Sequence, residues 1–196
     1  MLVLGVTGSL AMGKSTVAGM FAEFGAAVWN ADAAVHALYA GAAAGPIGGA
    51  FPGVVHDGKV DRAALGARVA NDPAALARLE AIVHPLVRAG EDEFRAKMAA
   101  AGRRVLALDI PLLLETGGER RVDLVVVATT TPEIQRERIA KRGMDQARAA
   151  ALMARQMSDA EKRTRAHFII DTSGEMSATR RQVGDVMRAL AGRAAG

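Results

Sequence analysis

Leu2-Val3-Leu4-Gly5-Val6-Thr7-Gly8-Ser9-Leu10-Ala11-Met12-Gly13-Lys14-Ser15-Thr16 opens the chain with an apolar run that passes into a glycine-bounded loop. A short continuous apolar stretch suits a buried strand, and Val17, Met20, Phe21 and Phe24 then recur at the spacing of one helical face. Gly25 ends that helix. Residues 8 to 15 fit G-x-x-x-x-G-K-[ST] in the context that gives the pattern its mechanism, after a strand and before a helix. With this chain's composition a chance match arises roughly 0.004 times. The stretch predicts an α/β fold with a parallel sheet.

Each part of the pattern has a job. Gly8 and Gly13 allow backbone angles and close approaches that a Cβ blocks, so the amides of Ala11, Met12, Gly13, Lys14, Ser15 and Thr16 and the helix N-terminus can surround phosphate oxygens. Lys14 adds a point charge at the β/γ-phosphates, which makes it a catalytic candidate as well as a ligand of ATP. The Ser15 hydroxyl suits one coordination site of Mg²⁺.

Farther along, Ala26 to Trp29, Val105 to Asp109, Val122 to Ala128 and His167 to Asp171 read as four more strands, with helices between them. The expected architecture is P-loop NTPase-like, about five parallel strands flanked by helices. No strand candidate falls across the helical block of residues 37–101, which is expected to be an insertion over the sheet. Its uncharged stretch from Ala37 to Val55 holds five Gly and two Pro and is expected to be a flexible loop, not a membrane span. The helices of residues 133–165 are expected to form a lid. The core is then 1–36, 102–132 and 166–196.

In a parallel sheet the residues after each strand converge on one edge. That geometry nominates Asn30, Asp32, Asp109, Thr129 to Thr131 and Asp171 to Ser173. Asp109 ends an apolar run as a carboxylate that holds Mg²⁺ through water would. Asp32 has two readings, a cap for a helix beginning near Ala33 or a group that orients or deprotonates an attacking hydroxyl. His36 and His84 lie in helical stretches, where a packed or solvated histidine is the commoner case. Arg138 and Arg142 share a helix face, and residues 133–165 hold nine basic against five acidic side chains, as an arginine-bearing lid over a triphosphate would.

Composition narrows the class. The 196 residues are 51% hydrophobic and 23% charged, which excludes a mainly disordered chain. With no cysteine there is no disulfide scaffold, zinc finger or thiol nucleophile, and a reducing, cytoplasmic address is expected. The N-terminus has no basic region of the signal-peptide kind. Net charge is +4, with −1 in residues 1–98 and +5 in residues 99–196, which fits an anionic partner and fits an arginine-rich coding bias equally. No guanine-reading N-K-x-D occurs, so a small-molecule kinase is the residual reading. Neither nucleic acid nor membrane is expected as a partner, and a monomer or a small homo-oligomer both remain open.

The chain resembles the dephospho-CoA kinases over nearly its whole length. The likeness runs through the glycine loop, Ala31-Asp32 and His36, Phe51-Pro52-Gly53, Asp57-Gly58-Lys59-Val60-Asp61-Arg62 and His84-Pro85. It continues through Ile110-Pro111-Leu112-Leu113-Leu114-Glu115, Arg138, Arg142, Gln156 and Phe168-Ile169-Ile170-Asp171. The resemblance implies ATP-dependent phosphorylation of the ribose 3′-hydroxyl of dephospho-CoA. It further implies Asp32 as the base, and His36, Arg62, His84 and Leu113 as substrate contacts. Three departures stand out: Asn30 where an aspartate is usual, Ser9-Leu10-Ala11-Met12 where glycines are commoner, and Thr172 for a frequent asparagine. Outside that likeness, a nucleoside monophosphate kinase or a non-catalytic nucleotide-binding protein remains as an alternative.

Overall fold

The computed structural model describes residues 1–70 and 72–193. Asn71 of the expected insertion and residues 194–196 of the expected core lie outside the described residues. The chain divides into two compact units, residues 1–29 with 98–196, and residues 30–97.

The first unit is built on β1 (Leu2–Thr7), followed by α1 (Lys14–Glu23) and β2 (Ala27–Asn30), whose last residue begins the second unit. The second unit holds α2 (Ala31–Tyr39), α3 (Ala44–Ala50), β3 (Val55–His56), β4 (Lys59–Val60), α4 (Arg62–Val69) and all but the end of α5 (Pro73–Ala100). The chain returns to the first unit for β5 (Val105–Asp109), a 3-10 turn at Gly118–Arg121 and β6 (Leu124–Thr129). Then come α6 (Pro132–Lys141), α7 (Gln146–Ala154), α8 (Asp159–Thr164), β7 (Phe168–Asp171) and α9 (Met176–Arg193).

Five strands form one parallel sheet in the order β2-β5-β1-β6-β7. β1 is central, in register with β5 through Val6↔Asp109 and with β6 through Thr7↔Val127. β6 shows why the sheet is buried on both faces. Leu124, Val126 and Ala128 pack with Leu4, Val17, Phe21, Ile170 and Val183 beneath α1 and α9. Val125 and Val127 point the other way, onto Leu113 and Leu114. Alternation with both sides apolar makes a continuous hydrophobic run, as read in the sequence. Phe21 is fully buried there, and truncating such a ring costs about 3–5 kcal/mol.

The second unit has its own core of Ile47, Phe51, Val54, Leu65, Leu79 and Val83, against which Val35, Leu38 and Tyr39 pack. This unit starts at residue 30, ahead of the expected 37, and α2 rests on its core through the partly buried Val35, Leu38 and Tyr39. The unit ends at 97 instead of 101. Two further expectations are corrected. The stretch read as a flexible loop contains α3, held by Ile47, which is fully buried. The block read as strandless contains the β3-β4 hairpin, in which Asp57 (φ 49) and Gly58 (φ 73) make the left-handed two-residue turn that right-twisted strands favour. The expected lid helices of residues 133–165 belong to the first unit.

Candidate active site

The loop after β1 owes its shape to two glycines and one alanine. A Cβ on Gly8 would lie 2.6 Å from the backbone oxygen of Ala128, so only glycine lets β1 leave the sheet so close to β6. Gly13 has φ 87 and stands where a Cβ would press on Thr172. Ala11 adopts φ 61, a left-handed conformation that costs an L-residue with a Cβ about 1–2 kcal/mol. α1 begins at Lys14 with no side-chain cap, so the first-turn amides are left to face a ligand.

Lys14 Nζ pairs with Asp109 Oδ1 at the end of β5. The carboxylate is 1% exposed, and this pair joins the phosphate loop to the neighbouring strand end. Ser15 and Thr16 are exposed on the first turn of α1. A hydroxyl and a carboxylate are the hard oxygen donors that Mg²⁺ takes, so the donor set of Ser15 and Asp109 fits that ion.

Arg138 Nη1 donates to Thr172 Oγ1 at 2.8 Å and to Ala11 O at 3.4 Å, and its Nη2 donates to Thr172 O at 2.6 Å. Thr172 Oγ1 shares its own proton between Met12 O at 2.9 Å and Thr129 O at 3.1 Å. One threonine therefore joins the phosphate loop, β6, α6 and the end of β7. Beside it opens a cleft of about 200 Å³ lined by Ala11, Gly13, Thr16, Arg138, Arg142 and Thr172 among others. Asp171 accepts the Ser173 amide at 2.8 Å. The Ser173 hydroxyl and then that amide hold its carboxyl below the usual aspartate range, against a smaller opposing effect of burial.

On the other side of the loop, Gln135 Nε2 donates to Leu10 O at 2.8 Å and Leu10 N donates to Gln156 Oε1 at 2.9 Å. Met157 N donates to Glu115 Oε1 at 2.8 Å, and the same oxygen pairs with Lys162 Nζ at 2.8 Å. Lys162 also reaches Pro111 O at 3.5 Å, while Thr129 donates to Asp159 at 2.7 Å. These contacts correct the expectation for one of the nine basic side chains of residues 133–165: Lys162 is fully buried instead of facing a triphosphate. A carboxylate in the apolar run of Pro111 to Glu115 needs a cation, and that was the available signal. Leu113 is also corrected. Its side chain has no exposure and packs beneath Gly5 and Gly118, so it meets core atoms instead of a substrate.

In the second unit, Asp32 lies in the first turn of α2 and His36 one turn on, on the same face. Both are exposed. The cap of α2 is Asn30, whose Oδ1 accepts the Ala33 amide at 2.7 Å, so the reading of Asp32 as the cap fails. Arg62 follows Asp61, which caps α4 by accepting the amides of Ala63 and Ala64. Burial pushes the Tyr39 hydroxyl up, and the charge of Arg62 opposes that shift. His84 is exposed on α5, one residue before Pro85.

The model of the family described as dephospho-CoA kinase matches residues 2–178. The chain belongs to the dephospho-CoA kinase family. A curated dephospho-CoA kinase from Bradyrhizobium diazoefficiens is 55% identical over 188 residues, 95% of this chain and 94% of that protein. Among solved structures, a dephospho-CoA kinase from Campylobacter jejuni superposes with a TM-score of 0.67 at 25% identity, covering 96% of each chain. A Thermus thermophilus protein reaches a TM-score of 0.80 at 32% identity over 96% of this chain and 97% of its own. The expected family and the P-loop kinase fold are both borne out. Gln135 is an omission of the sequence reading, because nothing in its spacing marks it as a partner of a loop 125 residues away.

Proposed function

We propose that this kinase transfers the γ-phosphoryl group of ATP to the ribose 3′-hydroxyl of dephospho-CoA, forming coenzyme A and ADP. The observation that carries the reading is the pairing of Lys14 with Asp109 beneath a phosphate loop, in a chain that shares a full-length family pattern with dephospho-CoA kinases. Amides of the loop and of the first turn of α1 hold the phosphates, and Lys14 steadies the charge that spreads over the transferring group. The Ser15 hydroxyl, and the Asp109 carboxylate through water, would hold Mg²⁺, which would supply charge neutralisation. Arg138 and Arg142 line the cleft that takes the rest of the nucleotide.

The acceptor reading rests on Asp32, exposed two residues after the end of β2 and released from capping by Asn30. Its carboxylate takes the proton of the 3′-hydroxyl as the new O–P bond forms, and the bond from the γ-phosphorus to its bridging oxygen breaks to leave ADP. His36, Arg62 and His84 are the remaining substrate contacts of the reading. ATP and dephospho-CoA are then its partners, and the absence of cysteine supports a reducing, cytoplasmic address.

Coupled ADP release tests it, with dephospho-CoA run beside a panel of nucleosides, nucleoside monophosphates, sugars and single-stranded DNA, and the product identified by mass. ATP binding without conversion of dephospho-CoA to coenzyme A in the presence of Mg²⁺ defeats the assignment. Turnover of a nucleoside monophosphate alone favours the other kinase class.

A further inference from the structure

Three consecutive peptide planes of the phosphate loop are held by side chains from outside it. Gln156 accepts the Leu10 amide, which belongs to the Ser9–Leu10 plane. Gln135 donates to the Leu10 carbonyl, which shares its plane with the Ala11 nitrogen. Arg138 donates to the Ala11 carbonyl, which shares its plane with the Met12 nitrogen. The planes before and after a residue are what its φ and ψ relate, so Gln135 and Arg138 together restrain Ala11 at its left-handed φ of 61. They stand three apart on α6 and so share one face of that helix.

The restraint answers a need peculiar to the loop's composition. Ser9, Leu10, Ala11 and Met12 bring four Cβ atoms to a stretch that must hold its amides toward phosphate, and none of the four positions is glycine. For alanine the right-handed region is preferred over the left-handed one, so an unrestrained loop would leave the anion-binding shape much of the time. A binding site populated only part of the time binds its ligand more weakly in proportion.

We propose that Gln135 and Gln156 are positioning residues that clamp the Leu10 peptide, keep Ala11 left-handed and so hold the phosphate loop in its ATP-binding shape. The proposal rests on the reading of this loop as the triphosphate site. Neither glutamine need touch the nucleotide for the effect. What each contributes is affinity for phosphate through preorganised amide donors, so its loss falls on ATP binding more than on the chemical step.

The test uses the full chain. Gln135→Met and Gln156→Met remove the hydrogen bonds with little change of side-chain volume. Each is expected to weaken ATP binding by about 3- to 10-fold while turnover at saturating ATP stays within about threefold. Adding Ala11→Gly to Gln135→Met is expected to recover at least about threefold of that binding, more than Ala11→Gly brings to the otherwise unaltered chain, because glycine needs no restraint to stay left-handed. A role in packing alone would not be relieved by that second change. Hydrogen exchange on the ligand-free protein gives a reading independent of ATP, since the Leu10 amide should lose protection in Gln156→Met. If Gln135→Met fails to fold, Gln135→Glu, which faces the Leu10 carbonyl with an acceptor, carries the same expectation. Unchanged ATP affinity, a loss that Ala11→Gly does not relieve, or an unprotected Leu10 amide in the unaltered chain overturns the clamp. An unaltered chain that protects Leu10 but binds no ATP overturns the functional reading and leaves the clamp standing.

Discussion

Asn30 takes the Ala33 amide on its side-chain oxygen at 2.7 Å, and that single bond releases Asp32 from the duty of starting α2. The helix therefore has its cap whatever stands at position 32. A departure from the usual family residue, which at first sight removes a carboxylate, supplies an amide side chain that caps a helix as well as aspartate does.

Asp32→Asn is accordingly a clean change. Turnover should fall about 10²- to 10⁴-fold, the worth of a positioned general base, with ATP affinity and thermal midpoint nearly constant. Asn30→Ala should do the reverse, lowering stability by about 1 kcal/mol while most turnover remains. Steady-state rates and unfolding curves on the same preparations check both, and an Asp32→Asn variant that keeps more than about a tenth of its turnover rules Asp32 out as the base.

Lys14→Ala has a structural consequence as well as a catalytic one. Its partner Asp109 has a carboxylate only 1% exposed, and removing the ammonium leaves that group with less compensation. We expect a turnover loss of at least about 10²-fold. A stability loss of about 1–3 kcal/mol should accompany it. Denaturant unfolding monitored by circular dichroism separates the two, and an unaltered midpoint would mean that the pair contributes nothing to the fold.

The buried pair of Lys162 and Glu115 makes a third case. Lys162→Met alone strands a carboxylate and should destabilise by about 3–5 kcal/mol. Changing Glu115→Gln as well keeps an acceptor for the Met157 amide and removes the stranded charge, so the double variant should recover most of the loss. At this chain length each kcal/mol moves the thermal midpoint by about 2–4 °C, well within calorimetric resolution. A double variant no better than the single one would place the pair's importance in geometry instead of charge.

Asp171 gives the acid side of the profile. Its carboxyl is held below the usual range by the Ser173 hydroxyl and amide, so the ionised form is favoured in the fold. Such a group stabilises above its unfolded midpoint of about 4, and the contribution drains away as pH falls through the lower folded midpoint. In Ser173→Ala the amide remains and the hydroxyl goes, so the titration midpoint followed by carboxyl NMR should rise part of the way back. Stability below about pH 4 should then depend less steeply on pH.

The sheet and the phosphate loop were legible because their signals are local. β1, the loop and α1 are contiguous, β5 and β6 are apolar runs buried on both faces, and β7 is an apolar run that buries Ile170 while Ile169 stays exposed. α3 was not legible, since Pro46, Gly48 and Gly49 argue against a helix and only the burial of Ile47 and Phe51 favours one. The β3-β4 hairpin has strands two residues long, too short to alternate, although Asp57-Gly58 announced its turn. At the site the contiguous loop could be read residue by residue, whereas Gln135, Thr172 and Lys162 act through contacts that no spacing encodes. Leu113 shows the opposite hazard, a residue within a family motif whose side chain serves the core.

Lys162 has one more consequence. Of the five lysines in the chain it alone is fully shielded, with Lys59, Lys97 and Lys141 on the surface and Lys14 partly open. An amine-reactive label would pass it by in the closed protein and mark it only when α8 lifts from the β5 end. The mass-spectrometric footprint of that one amine, timed against the others, would clock how often this helix lets go.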